Sequence, residues 1–354
     1  MNSPTVPKHP RGLYVLFFAE MWERFSYYGM RAILLLFLID QTRGGMALNT
    51  SEGAAIYGLY TASVYLLTLP GGWIADNILG QKKSIWYGGI VIMLGHIILA
   101  IPADTTVFYI GLGTVALGTG LLKPNISSVV GELYPEGGAR RDAAFSIFYM
   151  GINLGSVLGI TIVGYLGQKI SWHMGFGAAA VGMLLGLIVF KYGSEKYLKG
   201  VGDVPAPKIE TAESKVESSK NGKIGLGIVA LLVVVLTVLQ LTGNIDMTTA
   251  QGLAQGAGVI IVTVSMFYFL FILFAGGLTT LEKRRVFVLI VFFLAAALFW
   301  SGFEQAGSSL QIFAERHIER TFGGWEMPSS WFQNFNGTFI LMFAPILASL
   351  WIFL

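Results

Sequence analysis

From Leu13 to Ile39 the chain is apolar and long enough to cross a bilayer, yet the middle of this run, Phe18–Arg31 (FAEMWERFSYYGMR), holds two glutamates and two arginines. At about 100° per residue, Glu20, Glu23, Arg24, Tyr27, Tyr28 and Arg31 fall at i, i+3, i+4, i+7, i+8 and i+11, on one side of a helix. Phe17, Met21, Phe25, Ile33 and Leu36 take the other side, free to face lipid or other helices. A charge at bilayer depth costs on the order of 3 kcal/mol, so four in one span demand partners or a wet cavity. One reading is a buried ion pair that only fixes helix packing. The other is a polar face lining a path for a substrate or ion, and a whole face with two tyrosines favours it.

The rest of the chain belongs in a membrane too. Apolar residues make up 54% and charged residues 12%, against about 25% charge in a soluble domain. Further apolar spans are expected at about 53–78, 84–102, 106–131, 143–168 and 172–193, giving an N-terminal bundle of six helices over residues 1–194. Charges and two prolines crowd residues 195–223, a solvated linker. Spans at about 224–242 and 255–278 read as an uncharged helical hairpin (224–278), and spans at about 286–313 and 331–354 as two helices of a further bundle that begins at 279.

The 45 glycines suit close helix packing, as at Gly151, Gly155 and Gly159, or Gly182 and Gly186. Without cysteine there is no disulfide, iron–sulfur cluster or thiolate zinc site, and no metal site or nucleic-acid partner is expected; membrane lipids are. Lys8, Arg11, Lys82, Lys83, Arg140, Arg141, the linker lysines and Lys283–Arg285 fall in loops on one side, which places the N-terminus and the linker in the cytoplasm.

Four further stretches carry chemistry. The loop Gly71–Lys83 (GGWIADNILGQKK) offers Gly72, Gly80, Lys82 and Asp76, the last suited to helix N-terminal amides; a conformational latch is the expected role. In GTGLLKPN, Lys123 precedes Pro124 inside a span and needs a counter-charge, for which Glu20 and Glu23 are the candidates. In FSIFYMGINLGS, Asn153 is the polar group on a glycine-rich face; in FWSGFEQAGSSL, Glu304 and Gln305 sit mid-span, answered by Gln333, Asn334 and Asn336. His96 is isolated and is assigned no role.

Together, Glu20-x-x-Glu23-Arg24-Phe25, Tyr27-Tyr28-Gly29, the Gly71–Gly80 loop, Lys123 and Phe148-Tyr149-x-x-Ile152-Asn153-x-Gly155 resemble the proton-dependent oligopeptide transporters of the major facilitator superfamily, over essentially the whole chain. The inserted hairpin resembles that of bacterial members, which implies a multi-pass protein of the bacterial cytoplasmic (inner) membrane. The resemblance implies symport of di- and tripeptides with protons by alternating access, and no cofactor. It implies proton coupling at Glu20, Glu23, Arg24, Lys123 and Glu304. Peptide contacts would come from Arg24, Tyr27, Tyr28, Arg31, Tyr65, Lys123, Asn153, Glu304 and Asn336, with Arg31 and Glu304 bridging the two halves. Gly337 stands where the family's eighth helix usually has proline, and helices 9–12 are missing, so a fragment is expected. A nitrate or small-anion carrier on the same scaffold is the alternative, which the carboxylate pair disfavours. A receptor or structural subunit would leave the charged face unexplained, and no catalytic motif suggests an enzyme.

Overall fold

The structure is a computed structural model that describes residues 8–205 and 233–353. Most of the expected linker and the first part of the expected hairpin, 206–232, lie outside the described residues. Contacts divide the chain into two compact units. Met1–Leu48, Ser63–Ala206 and Ser309–Leu354 form the first, Asn49–Ala62 and Pro207–Ser308 the second.

The chain begins with α1 (Arg11–Ile39), α2 (Thr50–Leu66), α3 (Thr68–Ile74), α4 (Gln81–Ala100), α5 (Thr105–Glu132), α6 (Gly138–Tyr165) and α7 (Trp172–Tyr197). Two π-helical turns, Ala75–Leu79 and Leu166–Ile170, extend α3 and α6. The span expected over 53–78 is thus broken at Leu67, because Pro70 lacks the N–H that would bond the Leu66 carbonyl and its ring crowds that oxygen. Pro124, by contrast, is accommodated inside an unbroken α5.

Helix α1 is buried along nearly its whole length, so its apolar side faces helices and not lipid. The glycines of α6 and α7 explain how. A Cβ at Gly155 would run into the Met21 carbonyl, one at Gly159 into the Phe25 carbonyl, and one at Gly182 into the Phe25 ring. Two backbones approach this closely only where side chains are missing.

At the N-terminal end of α4, the turn after α7 acts as a clasp. Lys82 donates its backbone N–H to Gly202 O (2.9 Å) and its ammonium to Leu198 O (2.9 Å) and to Asp203. Asp203 also accepts from Gly200 N–H (2.8 Å), and Gly202 N–H reaches Glu132 at the end of α5 (3.2 Å). The positive φ of Gly200 and Gly202 lets the turn close.

In the second unit, residues 233–241 are helical, followed by α8 (Ala250–Ala275) and α9 (Thr280–Phe303). Thr249 caps α8, and a Thr279/Glu282 capping box starts α9, so Lys283, Arg284 and Arg285 lie in the first turns of α9 and not in the expected loop. Phe269 and Phe293 bring the two helices into ring contact at 5.3 Å. The single span expected over 286–313 is interrupted. A 3₁₀ turn over Glu304–Gly307 and a non-helical Ser308 separate α9 from α10 (Ser309–His317), so Glu304 sits at a break and not in mid-helix.

A short β-hairpin then pairs β1 (Thr321–Phe322) with β2 (Trp325–Glu326) through Gly323 and Gly324, both at positive φ as a tight two-residue hairpin turn requires. The 3₁₀ segment Ser329–Gln333 leads into α11 (Asn334–Phe353), which packs on α6.

Two outcomes follow from this packing. Gly159→Leu should lower the melting temperature in detergent, since overpacking typically costs about 1–3 kcal/mol. Gly113→Ala, where an added Cβ meets nothing within 4 Å, should not lower it. The hydrogen bond from Lys82, opposed by partial burial, holds Asp203 below the usual carboxylate range. Its contribution is therefore complete above the unfolded carboxylate pKa of about 4 and lost as pH falls through the lower folded value. A melting-temperature difference between the native chain and Asp203→Asn should be present at neutral pH and close in acid; a gap that persists unchanged in strong acid would show that the clasp is not ionic.

Candidate functional site

The predicted polar face of α1 forms one cluster. Arg24, 3% exposed, places Nε 3.0 Å from Glu20 Oε1 and 2.5 Å from Glu23 Oε2. Glu20 and Arg24 meet because they stand four residues apart on one helix face. The guanidinium carbon also lies 5.2 Å from the Tyr27 ring centre and 5.9 Å from that of Tyr28. Glu23 is fully buried. Close as these charges are, both Glu23 oxygens, Glu20 Oε2 and Arg24 Nε and Nη2 lack hydrogen-bond geometry to any described residue. Charges in contact with unused donors and acceptors are suited to exchanging partners, because a proton or a charged ligand group can replace one contact with a better one.

Lys123 enters from α5. Its ammonium stands 3.9 Å from the Tyr65 ring centre, and its charge acts on both Glu20 and Glu23. The Tyr65 face is thus a partner of Lys123, where sequence reading placed Tyr65 only in the pocket lining. Arg31 is buried further along α1. Asn153 is buried on α6 and donates to its own helix at Tyr149 O (2.9 Å), leaving its carbonyl oxygen as the group able to meet a ligand. Asn336 is exposed in the first turn of α11. Glu304, half-buried, belongs to the second unit.

The expected latch is reassigned in part. Asp76 is exposed in the π turn, with no hydrogen bond or ion pair among the described residues, so it does not take up helix amides. Gly72 has no close neighbour beyond Pro124. Gly80 and Lys82 act instead through Asp203, a residue missed in the sequence although the glycine pair before it marks a tight turn.

A second polar assembly, at the C-terminal end of α1, was not foreseen. Asp40 accepts from Trp172 Nε1 (2.8 Å), and Arg43 lies over the Trp172 ring (4.7 Å) while donating to Gln168 O (2.7 Å). Gln168, in the π turn ending α6, accepts from Ser330 N–H (3.0 Å) and donates to Ser329 Oγ (3.0 Å) and Glu315 (3.3 Å). Arg320 pairs with Glu315 and Glu326, and Lys169 with Glu326 (2.8 Å). The Lys169 hydrogen bond, opposed by partial burial and aided by Arg320, holds Glu326 below the usual carboxylate range. Beside this assembly is a cavity of about 290 Å³ whose lining includes Asp40, Arg43, Glu315 and Arg316.

Comparison with known proteins fits this geometry. The POT family profile matches residues 82–354. An uncharacterized transporter of Bacillus subtilis, YclF, is 45% identical over 97% of this chain and 68% of its own length. The peptide transporter YePEPT of Yersinia enterocolitica is 39% identical over 97% and 67%, and a di-/tripeptide transporter of Lactococcus lactis subsp. cremoris 36% over 97% and 69%. A crystal structure of a peptide transporter POT in complex with sulfate matches with a TM-score of 0.83 at 40% identity, covering 97% of this chain and 69% of that one. The chain is a multi-pass membrane protein with the major facilitator superfamily fold, and it belongs to the POT family, a family of transporters and not of enzymes.

Proposed function

We propose that this chain carries di- and tripeptides together with protons across the bacterial cytoplasmic membrane, with its N-terminus in the cytoplasm. The observation that carries the reading is the buried Glu20–Arg24–Glu23 cluster with Lys123 beside it. The names of the Yersinia and Lactococcus relatives support peptides as the substrate class. The small-anion alternative has no support from them, and a carboxylate pair is unhelpful beside an anion.

A dipeptide is a zwitterion with variable side chains, so a general carrier must hold its invariant ends. Arg24, Arg31 and Lys123 supply a positive pole for the carboxylate; Glu304 and Asn336 are assigned to the amino end. Tyr27, Tyr28, Tyr65 and Asn153 line the space left for side chains. Protons act as the coupling ion through Glu20, Glu23, Arg24, Lys123 and Glu304, because proton and peptide each change which carboxylate–base pairs are made. Alternating access rocks helix bundles about this central site.

Three variants separate coupling from binding in proteoliposomes with an inward proton gradient. Glu23→Gln keeps the shape and removes the titratable group; gradient-driven uptake should fall steeply while gradient-free peptide exchange survives in part. Lys123→Ala should lose both more severely, since an unpaired buried charge costs about 3 kcal/mol or more. Arg24→Ala should weaken peptide binding itself, because a planar guanidinium holds a carboxylate through two hydrogen bonds. Full proton-driven accumulation by Glu23→Gln would make Glu23 a packing residue, and absence of uptake of any peptide by the native protein would refute the transport reading.

A further inference from the structure

Helix α6 has two unlike faces. Gly151, Gly155 and Gly159 lie against α1, where added side chains would strike its backbone or Phe17. Asn153, Val157, Thr161, Gly164 and Gln168, at i, i+4, i+8, i+11 and i+15, take the opposite face, and residues 329–337 lie on it. Trp331 donates its indole N–H to Thr161 O (3.0 Å), and Asn334 its amide to Thr161 Oγ1 (2.9 Å). A Cβ at Gly164 would meet Ser330 Oγ, and Gly337 sits against Val157.

The assembly closes on Gln168. It is 5% exposed and stands in the π turn that ends α6, a backbone form frequent at functional sites. Its one amide engages the backbone of Ser330, the hydroxyl of Ser329 and Glu315, while its own carbonyl holds Arg43 of the α1 end. Ser329 Oγ is shared with Gln311, which in turn accepts from Gln333. Three segments distant in sequence thus meet at one residue, the α1 end at its backbone carbonyl and the 309–334 segment at its side chain, with the Lys169–Glu326 and Arg320 ion pairs around its rim.

We propose that Gln168 is the positioning residue of a gate: it holds the 309–334 segment shut against α6 and α1 at the C-terminal end of α1, and its bonds break each time the site opens to that side. This rests on the transport reading and on the orientation proposed with it, which puts the gate at the outer face. A network centred on a buried neutral side chain suits the task. Each bond contributes about 1 kcal/mol, enough in sum to hold a state and little enough individually to be released in a working cycle.

The chain has no cysteine, so a thiol introduced into it is its only one, and the intact transporter is tested with any cysteine elsewhere replaced by serine. The first arm places a single cysteine by Val157→Cys, beneath the gate, and measures its modification by a membrane-impermeant thiol reagent added outside cells. Adding Gln168→Ala should speed modification at least about fivefold, the factor for one lost buried hydrogen bond, and up to roughly a hundredfold if all three side-chain bonds count in full. Ser329→Ala, which removes a shared partner and keeps Gln168, should act in the same direction. Unchanged rates in both would overturn the proposal.

The second arm does not depend on a loosened fold. Lys169→Cys with Glu326→Cys, joined by a short thiol-reversible cross-linker, should abolish peptide uptake, and a reductant should restore it. Full uptake with the cross-link complete would equally overturn the gate. If the protein carries no peptide, the uptake arm fails before cross-linking while the labelling arm still reads the gate.

Discussion

The core of the first unit answers to one electrostatic problem: two carboxylates and one guanidinium buried together on α1 leave a negative charge to be met from outside the helix. Such a cluster is weak support for stability, because the cost of desolvating the ions offsets most of their attraction. It survives only where surrounding helices exclude lipid. That requirement explains why α1 is buried nearly end to end and why α6 and α7 present glycines to it. The remaining charge can be balanced by Lys123 or by a proton. Protonating a glutamate frees Arg24 and Lys123 for the peptide's carboxylate, so proton and peptide favour one another's binding, and symport needs that positive linkage.

The part of this arrangement that was legible in the sequence was the part with a period. Helical spacing placed Glu20, Glu23, Arg24, Tyr27 and Tyr28 on one face, and the glycines at 151, 155 and 159 on another, because both patterns repeat within a few turns of one helix. Lys123 could be matched to the glutamates by charge need alone. Breaks were less legible. Hydropathy runs straight through Leu67 and Ser308, yet the backbone does not; Pro70 was a visible signal for the first, while nothing as local marks the second. Asp76 reads in the sequence as suited to helix N-terminal amides, and the π turn that actually carries it leaves it exposed.

Long-range partners were not legible at all. Lys82 and Asp203 are separated by 121 residues, and Gln168 and Ser330 by 162. Each member is an ordinary polar residue near a helix end, with no spacing that would tie it to the other. A single glutamine in an apolar stretch is ordinarily interhelical glue. Only its convergence with Arg43, Ser329, Ser330 and Glu315 distinguishes it.

The two faces of α6 differ in the kind of bond they make, and the difference decides which can move. Against α1 the contact is backbone on backbone through Gly155 and Gly159, a close-packed surface that gains nothing by partial separation and offers water no polar group. Against residues 329–337 the contact is made by Thr161, Gln168, Trp331 and Asn334, each bearing a donor or acceptor that water can satisfy equally well once the surfaces part. Separation on the first face would expose apolar backbone grooves and the charges behind them; separation on the second exchanges protein hydrogen bonds for hydrated ones at small net cost. An alternating carrier built on this helix therefore keeps α1 and α6 together as one body and opens along the Asn153–Gln168 face. The charged cluster on α1 rides with the glycine face, so Glu20, Glu23 and Arg24 stay fixed relative to α6 while the polar face beyond them opens and closes.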